Sequence, residues 1–390
     1  MKAISTFFTL FWIIYFPTCI AYNHLSGFSV VDEVMTVVLI AYTLMQSGNR
    51  FTNRRPWGEY LAFLGILAFY VAYSLLRKVN VSGAVWLDLV QQIRPYSVLF
   101  CTWILSPRLT EGQKRLMVWA MVATLGAWFM WHPVGVSMDG SLQTEFPILG
   151  QLAINAGMGW YLFMPPGRRN SWIALLIVAT GFAGAKMKFV GEAVCFVALI
   201  FFVKRRLRFN SLSTRAGLAA LVAAVVYSTW SKFDAYYVEG WGNQGLARPM
   251  TYKTSLLILR DYFPLGSGMG TFATNAAWKY YSPLYPHYGL DRIWGLDSGG
   301  GFIADAFYPS LAQFGVVGVA LFLVFWKRRL AEINRIHDLR HYRVALMAFL
   351  CLAIESTADS SYLSGKGMGY FMFLGLCLNQ SFPKQKIPHP

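Results

Sequence analysis

Two arginines, a lysine and three alternating glycines stand close together in this chain. Arg248 opens the run Arg248-Pro-Met-Thr-Tyr252-Lys253, and Arg260 opens Arg260-Asp261-Tyr-Phe-Pro264-Leu-Gly266-Ser-Gly268-Met-Gly270-Thr-Phe272. Guanidinium groups bind phosphate oxygens through pairs of parallel hydrogen bonds. Glycines at every second position remove Cβ atoms and permit positive φ, so their amides can converge on an anion or let a ligand approach the backbone. The chemistry this favours is recognition of a phosphate or diphosphate. The same residues also suit a tight turn after a surface helix, with the basic side chains reaching for lipid head groups.

Further candidates lie elsewhere in the sequence. Asp305, in Ala304-Asp305-Ala306-Phe307-Tyr308-Pro309, stands where an apolar run begins. Partial burial there would suit its carboxyl to accept a proton, and Asp is also a preferred helix N-cap. Arg94, in Gln91-Gln92-Ile-Arg94-Pro95, and Lys186 and Lys188, beside Glu192, fall within or at the ends of apolar runs, where charge is expensive and marks function. Two readings are open for them: a cation cluster that receives a lipid-linked pyrophosphate, or an ion pair of Arg94 with a carboxylate from Asp32, Glu33, Asp88 or Glu355. Trp278, Tyr280, Tyr281, Tyr285, Tyr288 and Trp294 offer flat faces for sugar rings or, equally, an interfacial aromatic belt. His337 and His341 have the spacing of metal ligands on a helix, but no third ligand accompanies them and Arg335, Arg340 and Arg343 surround them. No metal or other cofactor is expected.

The composition says what must hold these residues. Of 390 residues only 13% are charged, against about 25% in a soluble domain; 56% are hydrophobic, with 30 Phe, 14 Trp and 21 Tyr. That excludes a soluble enzyme. Twelve apolar runs approach the roughly 17 to 25 residues that cross a bilayer: 3–22, 28–46, 59–76, 84–105, 115–135, 147–165, 171–186, 188–203, 214–231, 306–326, 344–358 and 367–382. Cys19, Cys101, Cys195, Cys351 and Cys377 lie inside or at the ends of these runs and read as small core residues, not as a disulfide framework.

The formal charge of +16 is largely topological. With the amino terminus inside, 22 of the 34 Lys and Arg fall on cytoplasmic segments, as the positive-inside rule requires, so nucleic acid is not needed as a partner. The expected fold is all-α, a polytopic integral membrane protein of about twelve helices with both termini cytoplasmic. Residues 1–231 would form helices one to nine and residues 306–390 the last three with a tail. Between them, residues 232–305 make an outer loop too long to lack structure, expected to be a folded cap that carries the function. Within it, Pro249, Met250, Leu256, Leu257 and Leu259 predict an amphipathic helix ending near Pro264 and lying along the membrane surface.

Arg248, Tyr252, Pro264, Gly266, Gly268, Gly270 and Phe272 occupy in register a pattern that resembles the O-antigen polymerase and ligase superfamily, bacterial inner-membrane glycosyltransferases that use undecaprenyl-diphosphate-linked sugars. Asp305, Phe307, Tyr308 and Pro309, leading into Leu311-Ala-Gln-Phe-Gly315-Val-Val-Gly318, match its later segment, and Arg94-Pro95 and Lys186-Met-Lys188-Phe-Val-Gly191 are weaker echoes. The ligase branch carries a His-Asn pair where this chain has Ala304-Asp305, which leans toward the polymerase branch. The resemblance implies an O-antigen, capsule or exopolysaccharide polymerase working on an undecaprenyl-diphosphate-linked oligosaccharide, with membrane lipid around it and a chain-length regulator and a flippase as candidate protein partners. Arg248, Arg260 and Asp305 are then the catalytic candidates, and Arg94, Lys186, Lys188, Tyr252, Gly266, Gly268, Gly270 and Tyr308 the substrate-binding ones. A ligase acting on a lipid core or a protein is the nearer alternative, and a twelve-helix transporter the farther one.

Overall fold

The structure is a computed structural model, described for residues 2–24, 30–49, 52–131, 135–136, 142–143, 148–184, 186–204, 206, 211–228, 230, 234, 245–299 and 307–380. Apart from one antiparallel pairing of Gly135–Val136 with Leu142–Gln143, its regular elements are helices. The first nine of the twelve apolar runs each contain one: α1 (Lys2–His24), α2 (Val31–Met45), α3 (Arg55–Arg77), α4 (Ser82–Leu105), α5 (Glu111–Trp131), α6 (Leu149–Phe163), α7 (Arg168–Ala179), α8 (Met187–Val197) and α9 (Leu212–Ser228). The segment 232–305 supplies α10 (Ala247–Asp261), α11 (Asn275–Lys279) and α12 (Leu284–His287). The chain then continues through α13 (Phe307–Ser310), α14 (Gly315–Ile333), α15 (Leu339–Ala358) and α16 (Met368–Leu378). The expected boundaries at 231/232 and 305/306 lie outside the described residues.

The core is largely apolar, but it also encloses charged and polar side chains, and large apolar side chains remain exposed. Asp88, Glu192, Gln313 and Arg329 are completely enclosed, whereas Leu76 is 82% exposed, Met130 88% and Phe202 77%. Among the described residues, two helical stretches are long and apolar enough to cross a membrane, Arg55–Arg77 and Phe307–Ile333. Only 22% and 39% of their most apolar windows are buried, so their greasy faces point outward. Arg329 shows how a charge is kept inside: it pairs with Glu59 of α3, sits 3.3 Å from Glu332, and lies over the ring of Trp103 at 4.9 Å. The charge is thus partly offset by a cation–π contact as well as by carboxylates. Cys101, Cys195, Cys351 and Cys377 are buried free thiols.

The cap has a core of its own, with Ile258, Phe272, Tyr285, Leu290 and Leu296 at its centre. The face that α10 buries in the protein is not its leucine face, which the sequence predicts to lie along the membrane surface. Pro249, Thr251, Thr254, Ser255 and Ile258 point in, while Leu256 and Leu257 are exposed. Short side chains on the inner face allow α10 to lie close against its neighbours.

The alternating glycines dock the cap onto the helices. Gly266, Gly268 and Gly270 all have positive φ, at 81°, 97° and 69°. The Gly270 amide donates to Asp88 Oδ2 at 2.9 Å and to Gln313 Oε1 at 3.1 Å, the Gly268 amide donates to the Gln313 carbonyl at 2.9 Å, and the Met269 amide donates to Ser74 Oγ at 2.7 Å. Gln313 Nε2 donates to the same Asp88 oxygen at 2.9 Å. The amides therefore do not converge on one anion: the Gly270 amide alone meets a carboxylate, that of Asp88, and the others meet a carbonyl and a hydroxyl of the protein itself. A Cβ on Gly270 would stand 2.5 Å from the Ala84 carbonyl oxygen, so both conformation and space demand glycine. Gly270→Ala is expected to cost about 3 kcal/mol, combining left-handed strain with a backbone clash. Gly65→Ala, with nothing within 4 Å of the new methyl, should be neutral or slightly stabilising. Thermal unfolding of the two purified variants checks this, and equal melting temperatures would contradict it.

Candidate functional site

The outer end of α15 is built from an apolar helix that closes in Glu355-Ser-Thr-Ala-Asp359. The last carbonyls of a helix have no intrahelical donors and carry partial negative charge. Two carboxylates four residues apart lie on one face and add to it. Such an end needs donors and cations, and three distant stretches supply them.

Lys188, in the first turn of α8, reaches both carboxylates, pairing with Glu355 and lying 2.6 Å from Asp359. Arg248, in the first turn of α10, donates Nη2 to the Ala358 carbonyl at 3.0 Å. Tyr252, one turn further along, donates its hydroxyl to the Thr357 carbonyl at 3.0 Å. Tyr308, on α13, donates to the Ala353 carbonyl at 3.1 Å. Lys188, Arg248, Tyr252 and Tyr308 thus meet on residues 353–359. Glu192, four residues beyond Lys188, is completely buried.

The segment after α15 extends this junction. Ser361 Oγ donates to Asp359 Oδ1 at 2.9 Å, and Gln151 Nε2 donates to Ser361 Oγ at 2.6 Å. Arg94 donates Nη1 to the Leu363 carbonyl at 3.0 Å and pairs with Asp32 and Glu33 of α2. Asp32 in turn accepts the Gly365 amide at 3.0 Å. Of the two readings open for Arg94, the ion pair is the one found. Lys188 and Arg94 each face two carboxylates, so the charge they meet is predominantly negative and is not a surplus of positive charge awaiting an anion.

The remaining candidates stand elsewhere. Arg260 is at the far end of α10, twelve residues or about 18 Å from Arg248 along the helix. Its side chain is 73% exposed and bonds to Asp261 at 2.8 Å. The hydrogen bond from Arg260, with a second from the Tyr288 hydroxyl, holds the Asp261 carboxyl below the usual carboxylate range. The expected pairing of Arg260 with Arg248 across one site is thus corrected: α10 separates them by its length. Lys186 is the exposed N-cap residue of α8. Gly266, Gly268 and Gly270 bond within the protein, as described above. His341 Nδ1 lies 2.5 Å from Asp338, the N-cap of α15, and His337 Nδ1 is 3.1 Å from Arg206. Asp305 lies outside the described residues.

Sequence reasoning counted Glu355 only among possible partners of Arg94 and passed over Asp359 and Gln151. The signal for the first two was present: carboxylates at i and i+4 closing an apolar run have to meet a cation, and Lys188 was already a candidate. No protein-family model matches the chain, and no curated protein matches it as a relative.

Removing the cation at this junction leaves two enclosed carboxylates facing one another. Lys188→Met should cost about 3 to 5 kcal/mol, the range for breaking a buried pair by deleting one partner. Neutralising the carboxylates as well, in Lys188→Met with Glu355→Gln and Asp359→Asn, should restore most of that loss. Denaturant unfolding of the single and triple variants measures both, and a triple variant weaker than the single one would refute the charge argument.

Proposed function

We propose that this chain is a multi-pass inner-membrane glycosyltransferase of the O-antigen polymerase type. It would transfer a glycan from undecaprenyl diphosphate to a hydroxyl of a lipid-linked repeat unit, on the side of the membrane where residues 232–305 lie. The observation that carries the reading is the meeting of Lys188, Arg248, Tyr252 and Tyr308 on residues 353–359, since the same four were selected from sequence for lipid-diphosphate chemistry.

Large apolar side chains exposed on further helices support a membrane solvent for more helices than the two that pass on length and composition. Lipid tails are as apolar as Leu, so side chains such as Leu76 and Met130 can face them without cost, while charges must pair inside the bundle. Both termini and the basic segments around Arg328 and Arg340 would be cytoplasmic, and the cap with the outer end of α15 would face the opposite side.

In the transfer, the acceptor hydroxyl oxygen bonds to the anomeric carbon, the carbon–oxygen bond to diphosphate breaks, and the diphosphate leaves with the electron pair. Arg248 supplies a planar fork of N–H donors at the place where negative charge develops. The Ala358 carbonyl and the turn of α10 fix its direction, which is the orientation that a preorganised charge needs. Lys188 and Arg94 each offset part of the charge of the carboxylates they face, which lessens the repulsion of an incoming diphosphate. Asp305 is the proposed acceptor of the hydroxyl proton. Arg260 is left to the surface of the cap. No metal is invoked, because arginine can serve as the counter-charge.

A second reading, proton- or ion-linked transport, draws on the enclosed pairs Lys188 with Glu355 and Asp359, and Arg94 with Asp32 and Glu33, since charges buried between membrane helices also line ion paths. Liposomes loaded with lipid-diphosphate glycan separate the two: a polymerase lengthens the glycan and a transporter only moves it. A ligase would be recognised by its acceptor, a lipid core or a protein.

Arg248→Ala is expected to lower chain extension by about 10²-fold or more, the usual effect of deleting one preorganised donor to a developing oxyanion, with membrane insertion intact. Asp305→Asn should lose rate and retain donor binding. Polymer of normal length from the Arg248→Ala protein would overturn the assignment.

A further inference from the structure

Glu192 is an enclosed acid to which no hydrogen-bond donor is directed. It lies on α8 four residues after Lys188, so the two side chains share one face of the helix, and on that face Lys188 pairs with Glu355 and Asp359 at the end of α15. The two helices are close there, since a Cβ on Gly191 would lie 3.9 Å from Ile354 Cδ1. Glu192 is 0% exposed, and neither of its carboxyl oxygens receives a hydrogen bond.

The groups around it do not supply what is missing. Foremost among the charges acting on it is Glu355, which comes within hydrogen-bonding reach; Lys188 and Asp359 follow. The Lys188 ammonium is already bonded to Glu355 and Asp359. Cys195 on the same helix, Cys351 on α15 and Tyr370 on α16 are further titratable side chains near it, yet none donates to it. Lys366 acts on Asp359, on the far side of Lys188. Tyr161 of α6 is bonded to Arg343, which stands twelve residues or about 18 Å along α15 from Glu355. Lys186 of α8, Arg168 and Arg169 of α7 and Tyr227 of α9 are exposed.

An ionised carboxylate can only accept hydrogen bonds. Two of them within bonding reach repel each other, and enclosing one without a donor is among the most costly states a side chain can take. One proton removes both difficulties by turning two acceptors into a donor and an acceptor. Glu355 carries the ion pair with Lys188, so the proton belongs on Glu192, whose hydroxyl then donates to the Glu355 carboxylate. A bond from a carboxyl to a carboxylate is of the short, charge-assisted kind.

We propose that Glu192 and Glu355 form a proton-binding site, with one proton shared between them in the folded chain at neutral pH. The inference goes beyond the glycosyltransferase reading and does not depend on it. A metal ion is the other cation that paired carboxylates could hold, but among the described residues no three His, Cys, Asp or Glu side chains are placed to bind one. The proton leaves Lys188 to Glu355 and Asp359 instead of dividing it among three carboxylates. It thereby holds α8 against the end of α15, beside the Ala358 carbonyl to which Arg248 donates.

The test is infrared spectroscopy of the full chain in phosphatidylcholine vesicles at neutral pH, in water and in deuterium oxide. A protonated carboxyl absorbs apart from ionised carboxylates, and its carbonyl band moves on deuteration. The unaltered chain is expected to show such a band. Glu192→Gln, which keeps the size of the side chain and can still donate to Glu355, should lose it. Glu355→Gln should lose it as well, because Glu192 then gains an amide donor and a share of Lys188 and can ionise. The melting temperature of each variant reports folding. A spectrum that Glu192→Gln leaves unchanged overturns the proposal, and so does a band that Glu355→Gln leaves unmoved, since the proton would then not be shared. If the band appears only when sodium is withheld, a metal ion occupies the pair and the proton site falls.

Discussion

The structure turns on an electrostatic requirement at the end of α15. There the dangling carbonyls of an apolar helix, the Glu355 carboxylate and the Asp359 carboxylate all present negative charge within a few residues. Enclosed charge of this kind is tolerated only when it is paired and hydrogen-bonded. Lys188 answers the carboxylates, and Arg248, Tyr252 and Tyr308 answer the carbonyls. The first turn of α8, the first turn of α10 and the short α13 are thereby held at one point. The same bonds that complete the fold also gather the residues with the chemistry to meet a diphosphate.

A second requirement fixes the cap. Asp88 is completely enclosed on α4, and its carboxylate accepts from the Gly270 amide and the Gln313 side chain. The glycine loop is bent so that its amides reach that group, and the start of α14 is drawn to the same place through Gln313. The sequence motif offers several backbone amides, of which that of Gly270 meets the α4 carboxylate while those of Gly268 and Met269 bond to Gln313 and Ser74. The cap is thereby anchored close to the junction at α15, because α10 leads directly into the loop.

Much of the architecture was legible from one-dimensional information. Twelve apolar runs located helices, and the long polar interval between the ninth and tenth located a separately cored cap, since both follow from how many consecutive residues can be removed from water. Arg248, Tyr252, Lys188 and Tyr308 were recognisable because charge and hydrogen-bonding groups beside apolar runs need partners. The pairing itself was not legible. Arg94 had four carboxylates to choose from, and the choice of Asp32 and Glu33 depends on α2 packing against α4. Arg260 resembled Arg248 in composition and spacing, yet a straight helix of fifteen residues, Ala247–Asp261, puts them at opposite ends. The face that α10 packs against the protein consists of small, mostly polar residues, which its leucine pattern alone does not specify.

The sequence by itself determined that the chain is helical, that its helices are rich in apolar residues, and that a handful of charges had to be enclosed. Those are consequences of composition and of local periodicity, which act on neighbours along the chain. Only the tertiary structure decided which cation meets which carboxylate, and that residues 353–366 rather than the glycine loop form the meeting point. These depend on contacts between residues more than a hundred positions apart, such as Lys188 with Glu355 and Arg248 with Ala358, and no property of either segment alone encodes them.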